Sequence, residues 1–401
     1  MNKIITVGLK KGDLTGDTEL AIQAAVDYLS YIGGGTVSIG PGVFEIGASV
    51  RLRSNVSIIG TPGETVFRKC SNIVSYLATD GDANEKQLTL VNPEGFEPGH
   101  TITVRYEGRG SGFLETTAVI TGKKGSIVEI DNGLIQDYNI INKAVAERNF
   151  SVISGIECEN NIISGITVDG NKENNSLAGG CRNAGIYFFG ASKAVIENCV
   201  VKNYNGDGIS YQTCNDITVK DSVFQGNAGL GIHPGSGTTV TRILGCKSYN
   251  NGGDGIFVCW RVTGGLIEDN EIYENGHNGI SIGHKDINNV IRKNRIYQNC
   301  HCGILFREEL EPMGANYNII ENNTLTNNGS IHYAEQTGCA YKYAGIRIFG
   351  ATHGVQFISN EIIYENADAG ECVGIIIEKG AYDNVFTDNY FKGVGETLVE
   401  L

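Results

Sequence analysis

The sequence predicts an all-β chain wound as a single right-handed parallel β-helix, a solenoid with an N-terminal capping helix and a small β insert. Three observations predict it: a Gly-Ile step recurring at nearly constant spacing, an Asn/Gly-rich turn before most steps, and a composition of turn formers and β-branched residues. The steps fall at Gly185-Ile186, Gly208-Ile209, Gly231-Ile232, Gly255-Ile256, Gly279-Ile280, Gly303-Ile304, Gly345-Ile346 and Gly374-Ile375. The first five intervals are 23, 23, 24, 24 and 24 residues, and intervals of 42 and 29 mark inserted loops.

Each unit carries a second strand: ENCVV at 197–201, KDSVF at 220–224, LGCKS at 244–248, EDNEI at 268–272 and RKNRI at 292–296. The turns YNGDG, GNAGLG, NNGGDG, ENGHNG and QNCHCG follow. Two strands and a turn in two dozen residues leave no room for the helical crossover of a βαβ unit. In a solenoid, equivalent positions of neighbouring coils stack about 4.8 Å apart. Asn227, Asn250, Asn275 and Asn299 are therefore expected to form an amide ladder.

Length alone, 401 residues, would allow two or three domains, but the repeat reduces this to one elongated body. Within it the sequence divides into a cap with the first coils (1–70), an antiparallel β insert (71–148) and the main helix (149–401). A helix is expected over 18–31, capped by Thr18 or Asp17, with Leu20, Ile22, Ala25, Val26 and Leu29 as its buried stripe. It would cover the open edge of the first coil. The insert reads as strands QLTLV, HTITVRY, ETTAVITGK and SIVEI. Walling a cleft and packing on the helix are both compatible with it.

A net charge of −14 supplies no basic face for nucleic acid. No apolar run reaches the roughly 18 residues of a membrane span. The start, MNKIITVGLKKGD, has no signal-peptide pattern, which leaves cytoplasmic residence and secretion with a removed leader both open. The 11 cysteines include no CxxC pair, so buried reduced thiols are expected and no metal site. Self-association stays open.

The stretch GDTELAIQAAVDYLSYIGGGTVSIGPGVFEI, the LRSNVSIIG strand, ITVDGNKENN and the coils together resemble the pectate-lyase-like superfamily across essentially the whole chain. The resemblance implies a right-handed parallel β-helix and a poly- or oligosaccharide partner. Members include polysaccharide lyases, glycoside hydrolases, uronan C5-epimerases and phage tail-spike depolymerases, so fold does not fix function. Alginate C5-epimerase modules are similar in cap and coil style and are known for an Asp-Pro-His-Glu tetrad. Here residues 208–214 read GISYQTC and the next rung offers His233-Pro234 without flanking acids, a departure from that pattern. The paired Asp motifs of polygalacturonase-type hydrolases are not evident either.

Alternation along each strand after Gly-Ile points the Ile inward and the next residue outward. Outward positions include Tyr187, Gln212, His233, Arg307 and Arg347, with Trp260, Arg261, His284, Lys285, Asp286, Glu308 and Glu309 at strand ends or turns. These residue types carry chemistry, although each also has a structural reading: His233 as turn packing, His284-Lys285 as a solvated turn, Trp260 as a core anchor, Arg307 with Glu308 and Glu309 as surface ion pairs. Asp207 and Asp254, in GDGI turns, read as turn formers.

Taken together, the set suits β-elimination on an acidic glycan. His233 or His284 would be the base, Arg307 or Lys285 the cation that steadies the enolate-like intermediate, and Tyr187 or Tyr211 a proton donor, although alternation points Tyr211 inward. Tyr187, Gln212, Trp260, Arg261, Asp286, Glu309 and Arg347 would bind substrate. The alternative is a hydrolase pairing Glu308 with Asp286 or Glu309; an epimerase and a non-catalytic glycan-binding solenoid are further readings. No cofactor is required, though calcium serves some resembling lyases. The loop at 308–343, with His332, Tyr333 and Tyr341, is expected to overhang the groove.

Overall fold

The computed structural model describes residues 3–108, 114–330, 342–365 and 367–401. Each complete coil passes through three strands, and their rows form parallel sheets of 11, 13 and 11 strands. In one coil Asp207–Gln212 belongs to the Gly-Ile sheet, Asn215–Lys220 to a second and Val223–Gln225 to a third. The sequence suggested two strands per coil. A single left-handed residue, such as Asn198 (φ 52°), Asp221 (φ 48°) or Asp269 (φ 57°), divides what reads as one run.

The Gly-Ile steps stack in register: Ile186, Ile209, Ile232, Ile256, Ile280, Ile304, Ile346 and Ile375 are successive partners across one sheet. All eight are buried, and they fill the interior as a column. Glycine precedes them because the coils approach closely. A Cβ on Gly255 would lie 2.8 Å from the Gly279 carbonyl oxygen and 2.7 Å from Asn275 Nδ2.

That amide belongs to a buried ladder through Asn227, Asn251, Asn275, Asn299 and Asn328, each Nδ2 donating to the next Oδ1 at 2.9–3.0 Å. The member at the second rung is Asn251 rather than the expected Asn250, which is exposed at φ 53° in the turn. A second ladder, absent from the sequence reading, runs through Asn270, Asn294, Asn323, Asn360 and Asn389.

At the N-terminus the helix Glu19–Tyr31 starts on Thr18, whose hydroxyl accepts from the Leu20 amide. Ile22, Ala25, Val26 and Leu29 are buried, but Leu20 is 72% exposed, so the stripe does not include it. The insert is a six-stranded antiparallel sheet with its own core around Ile102, Val104, Ala118, Ile120 and Val128. Its strands Val74–Tyr76 and Ala144–Glu147 were not among those read from the sequence.

The insert leaves the helix between a third-sheet strand (Thr65–Lys69) and the next Gly-Ile-sheet strand (Ile153–Ile156). The loops 170–183 and 364–371 leave at the equivalent turn. Most extra chain is thus delivered to one edge of the Gly-Ile sheet. The interval at 308–343 is not one overhanging loop, because Ile319–Glu321 and Thr324–Thr326 are regular rungs within it. His332, Tyr333 and Tyr341 lie outside the described residues. Cys158, Cys199, Cys214, Cys246, Cys302 and Cys372 are buried free thiols and Cys300 is exposed. No helix among the described residues is long and apolar enough to cross a membrane.

Asn275→Leu strands buried partners on both sides and is expected to cost at least about 2 kcal/mol, read from urea unfolding. Asn250→Gly, at a left-handed exposed position, should stay within about 0.5 kcal/mol of the parent.

Candidate functional site

Outward side chains of the Gly-Ile sheet stand in columns. One runs Arg51, Ser154, Tyr187, Ser210, His233, and continues through Phe257, Ser281, Leu305 and Arg347. Beside it lie Gln212, Gly235 and Cys259. Tyr187, Ser210, Gln212, His233, Ser281 and Arg347 are all buried, because they pack against one another across the face and under its bordering loops.

His233 Nδ1 stands 2.8 Å from Asp207 Oδ2. In that contact Nδ1 is the donor to the carboxylate oxygen, which leaves Nε2 as the ring nitrogen on the far side from Asp207. That nitrogen faces Gln212 Nε2 at 3.5 Å, while the same amide donates to Ser210 Oγ at 2.8 Å. The ring sits edge-on to Phe257, centroids 5.3 Å apart. The acid absent beside His233-Pro234 thus comes from the preceding coil.

Asp207 is also the turn former its motif suggested. Its Oδ1 accepts from the Leu230 amide at 2.9 Å, as Asp254 Oδ1 accepts from the Asn278 amide at 2.7 Å. One oxygen satisfies the turn and the other holds the imidazole.

Further along, Arg307 lies flat on the face. Its guanidinium carbon is 4.3 Å from the Phe257 centroid; Nη1 donates to Ser281 Oγ at 2.7 Å, and Nη2 to Val258 O at 2.6 Å and Asp286 Oδ2 at 3.3 Å. Glycine at 283 makes the room, since a Cβ there would stand 2.8 Å from Arg307 Cβ. His233 and Arg307 therefore both contact the Phe257 ring.

Asp286, expected to meet substrate, is fully buried inside the turn. Its oxygens accept from the Val262 and Gly283 amides at 2.8 and 3.1 Å as well as from Arg307. Burial pushes its carboxyl up to about 7, against the opposing pull of Arg307 and those amides. His284 Nε2 pairs with Glu309 Oε1 at 2.7 Å, Nδ1 lies 3.4 Å from Arg307 Nη2, and the ring stacks on Trp260. Burial and the Arg307 charge hold His284 below the usual histidine range, with Glu309 opposing.

Lys285, Arg261 and Glu308 are exposed at the rim, where Trp260 is 39% exposed. Arg347 is paired with Glu378 and lies over Phe349, and Tyr187 donates to the Cys181 carbonyl. Tyr211 points inward, its hydroxyl 2.6 Å from Thr241 Oγ1. Of the acids considered for hydrolysis, Glu308 is exposed at the rim, while its two candidate partners are engaged, Asp286 by Arg307 and backbone amides and Glu309 by His284. Asp207, Phe257 and Ser281 are members of the cluster that the sequence reading did not assign. Calcium prefers six to eight oxygens; among the described residues no group of three or more His, Cys, Asp or Glu side chains stands close enough to hold a metal ion.

The right-handed β-helix region model matches residues 96–259, 154–310 and 266–401, and the chain belongs to that family. Among solved structures it is similar to the A-module of mannuronan C-5 epimerase AlgE4 from Azotobacter vinelandii, with a TM-score of 0.61 and 17% identity over 98% of this chain and 97% of that one. The AlgE6 A-module from the same organism gives 0.57 and 17% over 95% and 91%. A hyperthermoactive exopolygalacturonase from Thermotoga maritima gives 0.55 and 14% over 93% and 87%. At these identities the likeness is one of fold. No curated protein matches the sequence.

With its carboxyl near 7 in the folded chain and near about 3.9 unfolded, Asp286 binds more proton when folded. Its contribution should therefore weaken as pH rises from about 4 to about 7. Asp286→Asn should flatten that part of a pH series of urea unfolding curves, whatever its effect on absolute stability.

Proposed function

We propose that the protein is a carbohydrate-active enzyme that cleaves an acidic poly- or oligosaccharide by β-elimination on the Gly-Ile face. The observation that carries this reading is the buried Asp207–His233 pair, with Nε2 on the far side of the ring from the carboxylate. The similar structures are named for different reactions, so the reaction is argued from side chains alone.

In the proposed step His233 Nε2 takes the proton on the carbon next to the uronate carboxylate. The electron pair forms the new carbon–carbon double bond as the bond to the glycosidic oxygen breaks. The imidazolium then returns a proton to the leaving oxygen. Asp207 fixes the tautomer and steadies the imidazolium. Arg307, held by Ser281, Val258 O and Asp286, is a fixed positive charge near the developing negative charge. Gln212, bonded to Ser210 and facing His233 Nε2, is a positioning residue beside the base. Hydrolysis by Glu308 is less well supported because either second carboxylate, Asp286 or Glu309, already has a partner.

A uronan panel should yield a product with near-ultraviolet absorbance from its new double bond. His233→Ala is expected to lower kcat by about 10²–10⁴-fold, and Asp207→Asn by at least about tenfold because Asn removes the negative charge facing Nδ1. New reducing ends without the chromophore would indicate hydrolysis, and unchanged chain length with altered sugar stereochemistry would indicate epimerisation. Full turnover by His233→Ala would overturn the site.

A further inference from the structure

The insert does more than lengthen the chain: its sheet overhangs the first rungs of the Gly-Ile face and encloses a cleft of about 540 Å3. That lies within the range of about 300–1,000 Å3 common for small-molecule sites. On the coil side the floor includes Arg51, Ser154, Tyr187 and Phe189; on the insert side the roof includes Thr117 and Val119. These last two point away from the insert's core because alternation along Thr116–Lys124 sends Ala118 and Ile120 into it.

The charge balance of this cleft is opposite to that of the chain. Three arginines, Arg51, Arg53 and Arg182, line it against one acid, Asp131, in a protein with 31 basic and 45 acidic residues. Asp131 Oδ1 is occupied by the Val119 and Asn132 amides, and Arg53 is paired with Asp27. Arg51 has no carboxylate partner among the described residues; its printed hydrogen bonds are made by the backbone, and of its guanidinium nitrogens only Nε is shut off from solvent, which leaves the two terminal ones open. A guanidinium with open, unpaired terminal nitrogens at the wall of a cleft is suited to a carboxylate, which can take both nitrogens at once.

We infer that this cleft is a binding subsite for one carboxylate-bearing pyranose unit. The terminal nitrogens of Arg51 receive the carboxylate, and Tyr187 and Phe189 an apolar sugar face. Tyr187 belongs to the same outward column as His233 and lies two rungs from it, about 10 Å along the helix axis. The inference rests on the acidic-glycan reading above and adds to it the place where an acidic unit is held.

Calorimetric titration of the full chain with galacturonate, glucuronate and glucose tests this directly. Both uronates should bind and glucose should not, and Arg51→Met should weaken uronate binding at least about tenfold. Val119→Trp, which fills the cleft from the roof and leaves the arginines in place, should abolish binding; it decides the matter if Arg51→Met fails to fold. Equal binding of glucose and the uronates, or uronate binding indifferent to Val119→Trp, would overturn the inference. Binding that obeys these variants without turnover of any glycan would overturn only the proposed reaction, and elimination by a chain whose cleft ignores uronates would overturn only the subsite.

Discussion

The structure depends on backbone hydrogen bonding between successive coils in fixed register. Because Ile232 pairs with Ile256, Ile256 with Ile280 and Ile280 with Ile304, a residue's neighbours across the sheet are the residues one coil before and after it in sequence. The repeat length converts directly into a spacing along the axis. A column of outward side chains is the result, and with it the chance for groups far apart in the chain to act together.

The same register lets polar groups be buried in quantity. Each ladder asparagine donates one amide hydrogen to the next rung and another to a backbone carbonyl, as Asn275 does to Asn299 and Ser248 O. The turns are thus satisfied without water, and the position that stabilises one turn can be adapted in the next. Asp207 and Asp254 hold equivalent turns through one oxygen; only Asp207 has a histidine in reach of the other. Structural and chemical duty are divided between two atoms of one carboxylate.

Much of this is legible in the sequence for a physical reason: a stacked repeat writes its geometry as a period. The Gly-Ile column, the capping helix and the outward placement of Tyr187, Gln212, His233 and Arg307 all follow from period and alternation. Finer features were hidden where one residue decides. Neighbouring asparagines at 250 and 251 look alike until one takes a left-handed turn and the other points inward. One such turn also splits the second segment of each coil. Burial of the outward face was not legible, since it depends on how irregular loops such as 170–183, entering at the edge of that sheet, fold back over it. Nor was the role of Asp207, because alternation ranks strand residues and this one stands at the strand's first position, where the turn ends.

Construction from equivalent turns also bears on how such a wall can change length. Duplicating a 24-residue unit such as 255–278 would add one rung of about 4.8 Å and extend the isoleucine column and the asparagine ladders by one member each, with every older contact kept. Reach along a polymer is then adjustable in whole-coil increments, while the insert and the helix at the N-terminal end remain where they are.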